Sequence, residues 1–385
     1  MKKRQLFTPG PTQVPEQVLL ELAQQVVHHR KSDFKQMYEE TIGNLKKVFR
    51  TNGEIFVFAS SGTGAMEAAV ANFTSEGEKS LVVDSGKFGA RWKELCDTYQ
   101  VDSIVLEYEW GKAAEPDDIQ KELENNKDIK AVFVTLVETS TGTLHPIKEI
   151  AEIVSNTDAV LIVDAVSGLG CDVIETDKWG VDVVVSGSQK ALMTPPGIGL
   201  MCIGDKAKQI YSDNSRKNYY FDLKKASKSL GKYQTPYTSP VNLIRGLLCS
   251  LKMINSEGME NVWERHRQIA QAARKGIKAM GLKLFSESPA NGLTAAYIPE
   301  QINEAKEFLN HLENNLGIYF AGGQAHMKGK IFRIAHMGYY DKLDILKALC
   351  ALELALKRFN VIQETGKGPG AAMEAILEHS KISAY

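Results

Sequence analysis

An α/β fold, with a mostly parallel seven-stranded sheet between helices and a smaller C-terminal α+β domain, follows from three features of the sequence. From about residue 55 to 203, short apolar runs rich in β-branched residues alternate with amphipathic helical stretches. Several of these runs, AVFVTLV at 131–137 and AVLIVD at 159–164 among them, lack polar alternation, as strands buried on both faces of a parallel sheet require. Beyond about residue 260 the strand-like segments are short and separated by helices, which marks a second, smaller unit. The 385 residues are enough for one large core and a second domain.

In chain order, residues 1–14 read as an N-terminal arm. The MKKRQLF start resembles the basic region of a signal peptide, but Pro9 and Pro11 fall where a long apolar segment belongs. Helices are expected at 15–27 and 33–49, the second with Ser32 as N-cap. Seven strands follow at 55–59, 80–84, 103–107, 131–137, 159–164, 182–186 and 199–203. Residues 205–240 are rich in Tyr, Lys, Ser and Pro with weak periodicity and read as a long irregular or dimer-facing stretch. One long helix is expected at 241–280, then strands at 282–286, 293–298, 317–321 and 331–336, and a helix at 343–359. Residues 366–370 read as a hinge before a last short helix. The division is arm 1–14, large domain 15–259, small domain 260–365 and tail 366–385.

Composition narrows the function. Apolar residues make up 43% of the chain and charged residues 24%, ordinary globular usage that excludes disordered and fibrous classes. Lys and Arg number 46 against 47 for Asp and Glu, a formal net charge of -1, so no broad basic field faces a nucleic acid or an anionic membrane. No apolar stretch approaches the roughly 20 residues that span a bilayer. A cytoplasmic protein with a small-molecule partner is the expectation. The five cysteines, at 96, 171, 202, 249 and 350, show neither CxxC nor zinc-ligand spacing and are expected to be reduced and mostly core. Cys350, in the apolar face of LDILKALCAL at 343–352, is among those read as core.

Three motifs carry chemistry. SSGTGAME at 60–67 ends a strand and opens a helix, where unpaired N–H groups and hydroxyls bind phosphate; a Ser/Gly turn of purely steric origin reads the same way. Neither a Walker loop nor a complete GxGxxG occurs in the chain. DAVSG at 164–168 places an acid at the carboxyl end of a buried strand, the edge where α/β sheets bind ligands; Asp164 equally suits an N-cap. SGSQKA at 186–191, followed by PPGIG at 195–199, holds Lys190 at the same edge, although a lysine is ordinarily a solvated surface residue. A phosphate cup, a strand-end acid and a strand-end lysine together match what pyridoxal phosphate needs: an amine for a Schiff base, an anion for the pyridinium nitrogen and an anchor for the phosphate.

With these motifs the chain resembles the class V, fold-type I pyridoxal-phosphate aminotransferases, and is similar to their alanine-glyoxylate and serine-glyoxylate (serine-pyruvate) branch. The matching stretches are TPGP at 8–11, HR at 29–30, SGT at 61–63, FG at 88–89, ETSTG at 138–142, DAVSG at 164–168, SGSQK at 186–190 with PPG at 195–197, and FRIAHMG at 332–338. They cover nearly the whole chain to about residue 360.

The resemblance implies that Lys190 forms the Schiff base and shuttles the substrate proton, while Asp164 pairs with the pyridine N–H. Ser61, Gly62, Thr63 and Gln189 hold the phosphate, Phe88 stacks on the ring, and Ser140 sits near its O3′ side. A core Phe and a plain turn serine are the competing readings of the last two. Arg333, in an alternating strand, is implied to clamp the substrate carboxylate, a task suited to a planar guanidinium. YQTPYTSP at 233–240 resembles the segment by which a neighbouring subunit reaches the phosphate, with Thr235 and Thr238 as contacts, so a homodimer with a composite active site is implied. His29 and Arg30 are read as structural.

The implied activity moves an amino group from alanine or serine to glyoxylate or pyruvate by a ping-pong mechanism. Three alternatives stay open: a cysteine desulfurase, a phosphonate or phosphoserine transaminase, and a non-catalytic ligand-binding subunit that retains the fold. Gln189, where a desulfurase usually has histidine, weighs against the first.

Overall fold

The computed structural model describes residues 3–213 and 218–380. Seven strands make one sheet: β1 (Glu54–Phe58), β2 (Lys79–Asp84), β3 (Asp102–Glu107), β4 (Ile129–Thr135), β5 (Val160–Asp164), β6 (Val183–Gly187) and β7 (Gly199–Ile203). Their spatial order is β1-β7-β6-β5-β4-β2-β3. Neighbours are parallel except at β7, which runs antiparallel to β1 and β6. The carboxyl ends of the other six strands therefore share one edge.

Strands β5, β6 and β7 are buried at every position, because each face meets its own core. Leu161, Val163, Val184 and Leu200 point into one cluster, with Phe34, Leu45 and Leu247. Val160, Ile162, Val185 and Met201 point into the other, with Ala65, Ala69 and Trp92. This period-2 division is the reason these runs carry no polar alternation, and each buried aliphatic side chain contributes about 1.5–3 kcal/mol. Helices α1 (Gly62–Phe73) and α2 (Lys87–Thr98) follow β1 and β2 directly, so their N-termini lie at the shared edge.

The smaller C-terminal domain holds β8 (Leu293–Tyr297), β9 (Ala321–Gly322) and β10 (Ile331–Ala335), antiparallel in the order β8-β10-β9. Its core gathers Ile269, Phe308, Phe332, Ile334, Leu349 and Leu352.

Several expectations are corrected. The helix expected over 241–280 is two, α3 (Val241–Glu257) and α4 (Met259–Ala279), because Gly258 takes φ +85° between them. The stretch expected to be irregular contains helices Asp205–Asp213 and Leu223–Leu230; Asp222 caps the second by accepting from Lys225 N–H at 3.1 Å, and residues 214–217 lie outside the described residues. The first helix covers only Glu16–Leu22. Lys31, not Ser32, is the N-cap of Ser32–Phe49, and the Ser32 hydroxyl bonds to Asp33 instead. Of the strand expected at 282–286, a single bridge remains, Leu284 to Ala296.

Cys350 is exposed, not core: on α5 (Lys342–Arg358) the buried face runs through Ile345, Leu349, Leu352 and Leu356, and position 350 is turned about 100° from 349. The expected hinge at 366–370 instead leads into α6 (Lys367–Ser380). The buried Glu353 carboxylate accepts the N–H groups of Gly366 at 2.7 Å and Gly368 at 2.9 Å, and Ala372 and Ala375 enter the C-terminal core. The remainder of the expected tail, 381–385, and residues 1–2 of the arm lie outside the described residues. Within the arm, Gln5–Leu6 pairs in parallel with Ile318–Tyr319, and Phe7 is buried in the C-terminal core. No described helix is long and apolar enough to cross a membrane.

Candidate active site

The shared strand edge assembles most of the residues singled out above. β1 ends in the turn that opens α1. Ser61 is the N-cap in extended conformation with no side-chain cap bond; Gly64 N–H turns back to Ser61 O at 3.0 Å, and the helix start ahead of it faces the site with no side chain capping it, as an anion requires. Gly62 is required there: a Cβ would stand 2.7 Å from Val166 Cγ2. The Thr63 hydroxyl accepts a hydrogen bond from Arg91 Nη1 at 3.0 Å. Arg91 lies one turn after Phe88 on α2, its guanidinium 4.7 Å from the centre of the half-buried Phe88 ring.

The start of α2 is capped from another strand. Glu138, fully buried, accepts the N–H groups of Phe88 and Gly89, each at 2.9 Å, and of Ser140 at 3.0 Å. The Ser140 hydroxyl donates to Glu138 at 2.6 Å and accepts from Lys87 N–H at 3.1 Å. Gly86 leaves the room for this, since a Cβ there would lie 2.5 Å from Glu138 Cδ. Burial pushes the Glu138 carboxyl above its ordinary range, and the four donors pull it back only in part.

Asp164 ends β5. Its Oδ1 accepts Val166 N–H at 2.8 Å, a side-chain turn bond and not the expected N-cap, since no helix begins until Thr176. Burial raises its pKa to about 6; the Val166 bond lowers it, the neighbouring Glu138 charge raises it, and Arg91 and Lys190 lower it. Lys190 follows β6 and is buried. Burial lowers its pKa to about 8, with Asp164 opposing the shift and Arg333 and Arg91 adding to it. Its Nζ donates to the Pro9 carbonyl. Gln189, half-buried, receives Thr12 N–H on its carbonyl at 3.1 Å.

Arg333 on β10 is also buried, as is every position of the strand, and it faces away from Phe332 and Ile334, which enter the C-terminal core. Its Nε and Nη2 donate to Gly322 O at 3.1 and 2.7 Å, and its Nη1 to Thr139 O at 2.8 Å. It thus joins the small sheet to the loop that carries Glu138 and Ser140. Burial lowers its pKa to about 10, against the pull of Glu138.

Thr235 and Thr238 stand apart. The Thr235 hydroxyl bonds to Tyr237 O at 2.7 Å and to Ser239 Oγ, and Thr238 is exposed. Arg30 pins this loop by donating to Thr235 O at 2.6 Å and Pro236 O at 3.1 Å, a structural role as expected for it. Among the described residues, no hydrogen bond joins Thr235 or Thr238 to Lys190, Asp164 or the 61–63 turn.

Sequence reasoning assigned no site role to Glu138, Arg91, Pro9, Gly10 or Thr12. Arg91 had a usable signal, its i+3 spacing from Phe88 on one helix face. Apart from Ser140, the partners of Glu138 are 49 and 50 residues distant and left none. Among the described residues, no three His, Cys, Asp or Glu side chains group as a metal ion's ligands do.

The chain matches the family described as "Aminotransferase class-V" over residues 4–337. An uncharacterized aminotransferase of Methanocaldococcus jannaschii is 42% identical, covering 94% of this chain and 96% of that one. A protein of a Synechococcus species named soluble hydrogenase, small subunit, is 40% identical over 97% of each chain. A serine–glyoxylate aminotransferase of Methylorubrum extorquens is 34% identical, covering 98% of this chain and 97% of that one. Among solved structures, ureidoglycine-glyoxylate aminotransferase from Bacillus subtilis superposes with a TM-score of 0.92 over 98% of both chains at 30% identity.

Proposed function

This chain belongs to the class-V aminotransferases, and from that premise we propose that it moves the amino group of a small amino acid, alanine or serine, to glyoxylate or pyruvate in a ping-pong cycle. It is an aminotransferase with pyridoxal phosphate as its cofactor. The small substrates are supported by relatives whose names include serine–glyoxylate and L-aspartate–glyoxylate aminotransferase.

The residues present fit the cofactor. A buried amine with its pKa lowered to about 8, a buried carboxylate beside it and a helix start without a side-chain cap are the donor set it requires. The observation that carries the reading is the first pair: Lys190 and Asp164, both buried at one strand edge, each shifting the other's charge. A scaffold that merely bound a ligand would have no use for an amine kept so close to its reactive form.

Bound pyridoxal phosphate supplies an aldehyde for an amine to condense with and a ring that accepts the electron pair left when the substrate Cα–H bond breaks. Lys190 is the residue that would carry it, and its free amine would take the proton from the substrate Cα and deliver it to the cofactor's former aldehyde carbon. Asp164 holds a negative charge at the ring-nitrogen end of the site. Ser61, Gly62, Thr63 and Gln189 would hold the phosphate, with Arg91 adding a cation through Thr63. Phe88 lends a flat apolar face, and Ser140, engaged with Glu138 and Lys87, sets the opposite rim. Arg333 grips the substrate carboxylate with its planar fork. Thr235 and Thr238 complete the phosphate site of the partner subunit in a homodimer.

A half-reaction screen tests the substrate assignment. Holoenzyme is mixed with single amino acids, including aspartate, phosphoserine and 2-aminoethylphosphonate, and the cofactor absorbance is followed. Loss of the band with alanine or serine is the expected result. Response only to a doubly anionic compound would move the assignment to a phosphoserine or phosphonate transaminase, with Arg91 as a second cation. Sulfide release from cysteine would favour the desulfurase, yet the exposed Cys350 has its thiol pushed up by partial burial, the reverse of an activated nucleophile.

A further inference from the structure

The N-terminal segment is bonded at both ends, and what lies between its anchors is the amine of Lys190. At the first anchor, Phe7 N–H donates to Tyr319 O at 2.8 Å, and Phe7 O accepts Ala335 N–H at 2.7 Å from β10, the strand that carries Arg333. Phe7 itself is fully buried. At the second, Thr12 N–H donates to Gln189 O at 3.1 Å and the buried Thr12 hydroxyl donates to Lys190 O at 2.9 Å. Between them the Pro9 carbonyl accepts a hydrogen bond from Lys190 Nζ. Gly10, at φ +136°, lies so near that a Cβ would stand 2.6 Å from Nζ and 2.7 Å from Cε. The conformation favours glycine, and a Cβ would push the Lys190 tip from its place.

A lysine amine sits on a four-carbon stem with several rotatable bonds, and left to itself it samples many positions. Nucleophilic attack and proton transfer both demand one position, with the nitrogen lone pair aimed at the reacting carbon. An acceptor that takes one N–H and a wall against the Cε–Nζ end select that position.

We propose that residues 7–12 form a strap that positions the Lys190 amine: the Pro9 carbonyl takes one of its hydrogens, Gly10 walls its tip, Thr12 fixes the peptide behind it, and Phe7 ties the strap to the strand bearing Arg333. Thr12 and Gly10 are positioning residues, acting through Lys190. The strap also shortens the path between the two ends of the site, since only Thr8 separates the residue bonded to the Arg333 strand from the one bonded to Lys190. The proposal rests on Lys190 being the cofactor lysine.

The test is capture of pyridoxal phosphate by the purified chain, followed by the absorbance of the bound cofactor and by borohydride fixation of its mass on the Lys190 peptide. Gly10→Ala should slow capture about tenfold or more while far-UV circular dichroism stays close to wild type. Because that variant carries backbone strain, Thr12→Val and Thr12→Ser form an independent pair. The valine should slow capture and displace its pH midpoint, and the serine, which keeps the hydroxyl, should restore both. Wild-type rates in Gly10→Ala and Thr12→Val, or a serine variant as slow as the valine one, would overturn the strap. A wild-type chain that fixes no cofactor on Lys190 would instead overturn the assignment of Lys190 on which the strap rests.

Discussion

At Lys190, burial and neighbouring charge act in opposite directions, and their balance sets a measurable pH. Desolvation drives the amine toward neutrality, Asp164 holds the charge on, and the result is a pKa of about 8, against about 10.4 for a solvated lysine. Only the neutral amine attacks an aldehyde, so the rate of cofactor capture should rise with pH and level off above about 8. A stopped-flow profile that kept climbing to pH 10 would contradict this. Asp164→Asn removes the charge that supports the ammonium, so the midpoint should move to lower pH. The same substitution reports on stability. The folded pKa of Asp164, about 6, lies above the unfolded value of about 3.9. Ionised Asp164 therefore disfavours folding by about 1–3 kcal/mol, an effect absent below pH ~4, growing to pH ~6 and complete at pH 7. Asp164→Asn should raise the unfolding temperature of the cofactor-stripped chain at pH 7 and leave it nearly unchanged at pH 4. Arg333→Lys keeps the charge but loses the fork to Gly322 and Thr139; it should raise KM for the amino acid by about tenfold or more with a smaller effect on kcat, checked by steady-state kinetics. Asp164 and Lys190 were legible in the sequence, since a position at or just after a strand end restricts where a side chain can be; Arg333, in mid-strand, was marked only by the family resemblance of its surrounding stretch. Glu138 and Arg91 had their surroundings decided by long-range pairing and were passed over.

Among the elements, α2 shows how the site is held. Its N-cap residue, Gly86, has no side chain to satisfy the first-turn N–H groups, and Glu138 and Ser140 serve them from across the sheet edge. Glu138→Ala would strand the buried N–H groups of Gly89 and Ser140, the part-buried one of Phe88 and the Ser140 hydroxyl, with a loss of about 3 kcal/mol or more. Glu138→Gln keeps one acceptor oxygen and should lose less. Thermal unfolding ranks the pair, and equal losses would show that the carboxylate is not the cap it is drawn as. Strand positions were read well from the sequence because two-faced burial leaves an unmistakable apolar run. Helix limits were read less well. Gly258 looks harmless in the sequence, and only its positive φ shows that α3 and α4 are separate. Residues 205–240 hid two helices because their polar faces outweigh a short buried stripe, as at Leu223 and Ala226.

For the molecule as a whole, the loop holding Thr235 and Thr238 is the test of assembly. Arg30 fixes it on its own subunit, and the proposed work of its threonines is on the other. A Lys190→Ala chain mixed with a Thr235→Val/Thr238→Val chain, unfolded together and refolded, should regain about a quarter of wild-type turnover, since half the dimers then hold one intact site. No recovery, with mixed dimers demonstrated by mass spectrometry, would argue for sites contained within single chains. What the sequence determined by itself is the sheet, its ligand edge and the two charged residues there, Asp164 and Lys190, because local runs, turn chemistry and strand ends are properties of near neighbours in the chain. What the tertiary structure alone decided is the company those residues keep. Pro9 on Lys190, Glu138 under Phe88, Arg91 at Thr63 and the tail helix on Glu353 are joined across the fold, and a buried charge takes its energy from whichever groups folding brings within a few ångströms, however far apart they stand in sequence.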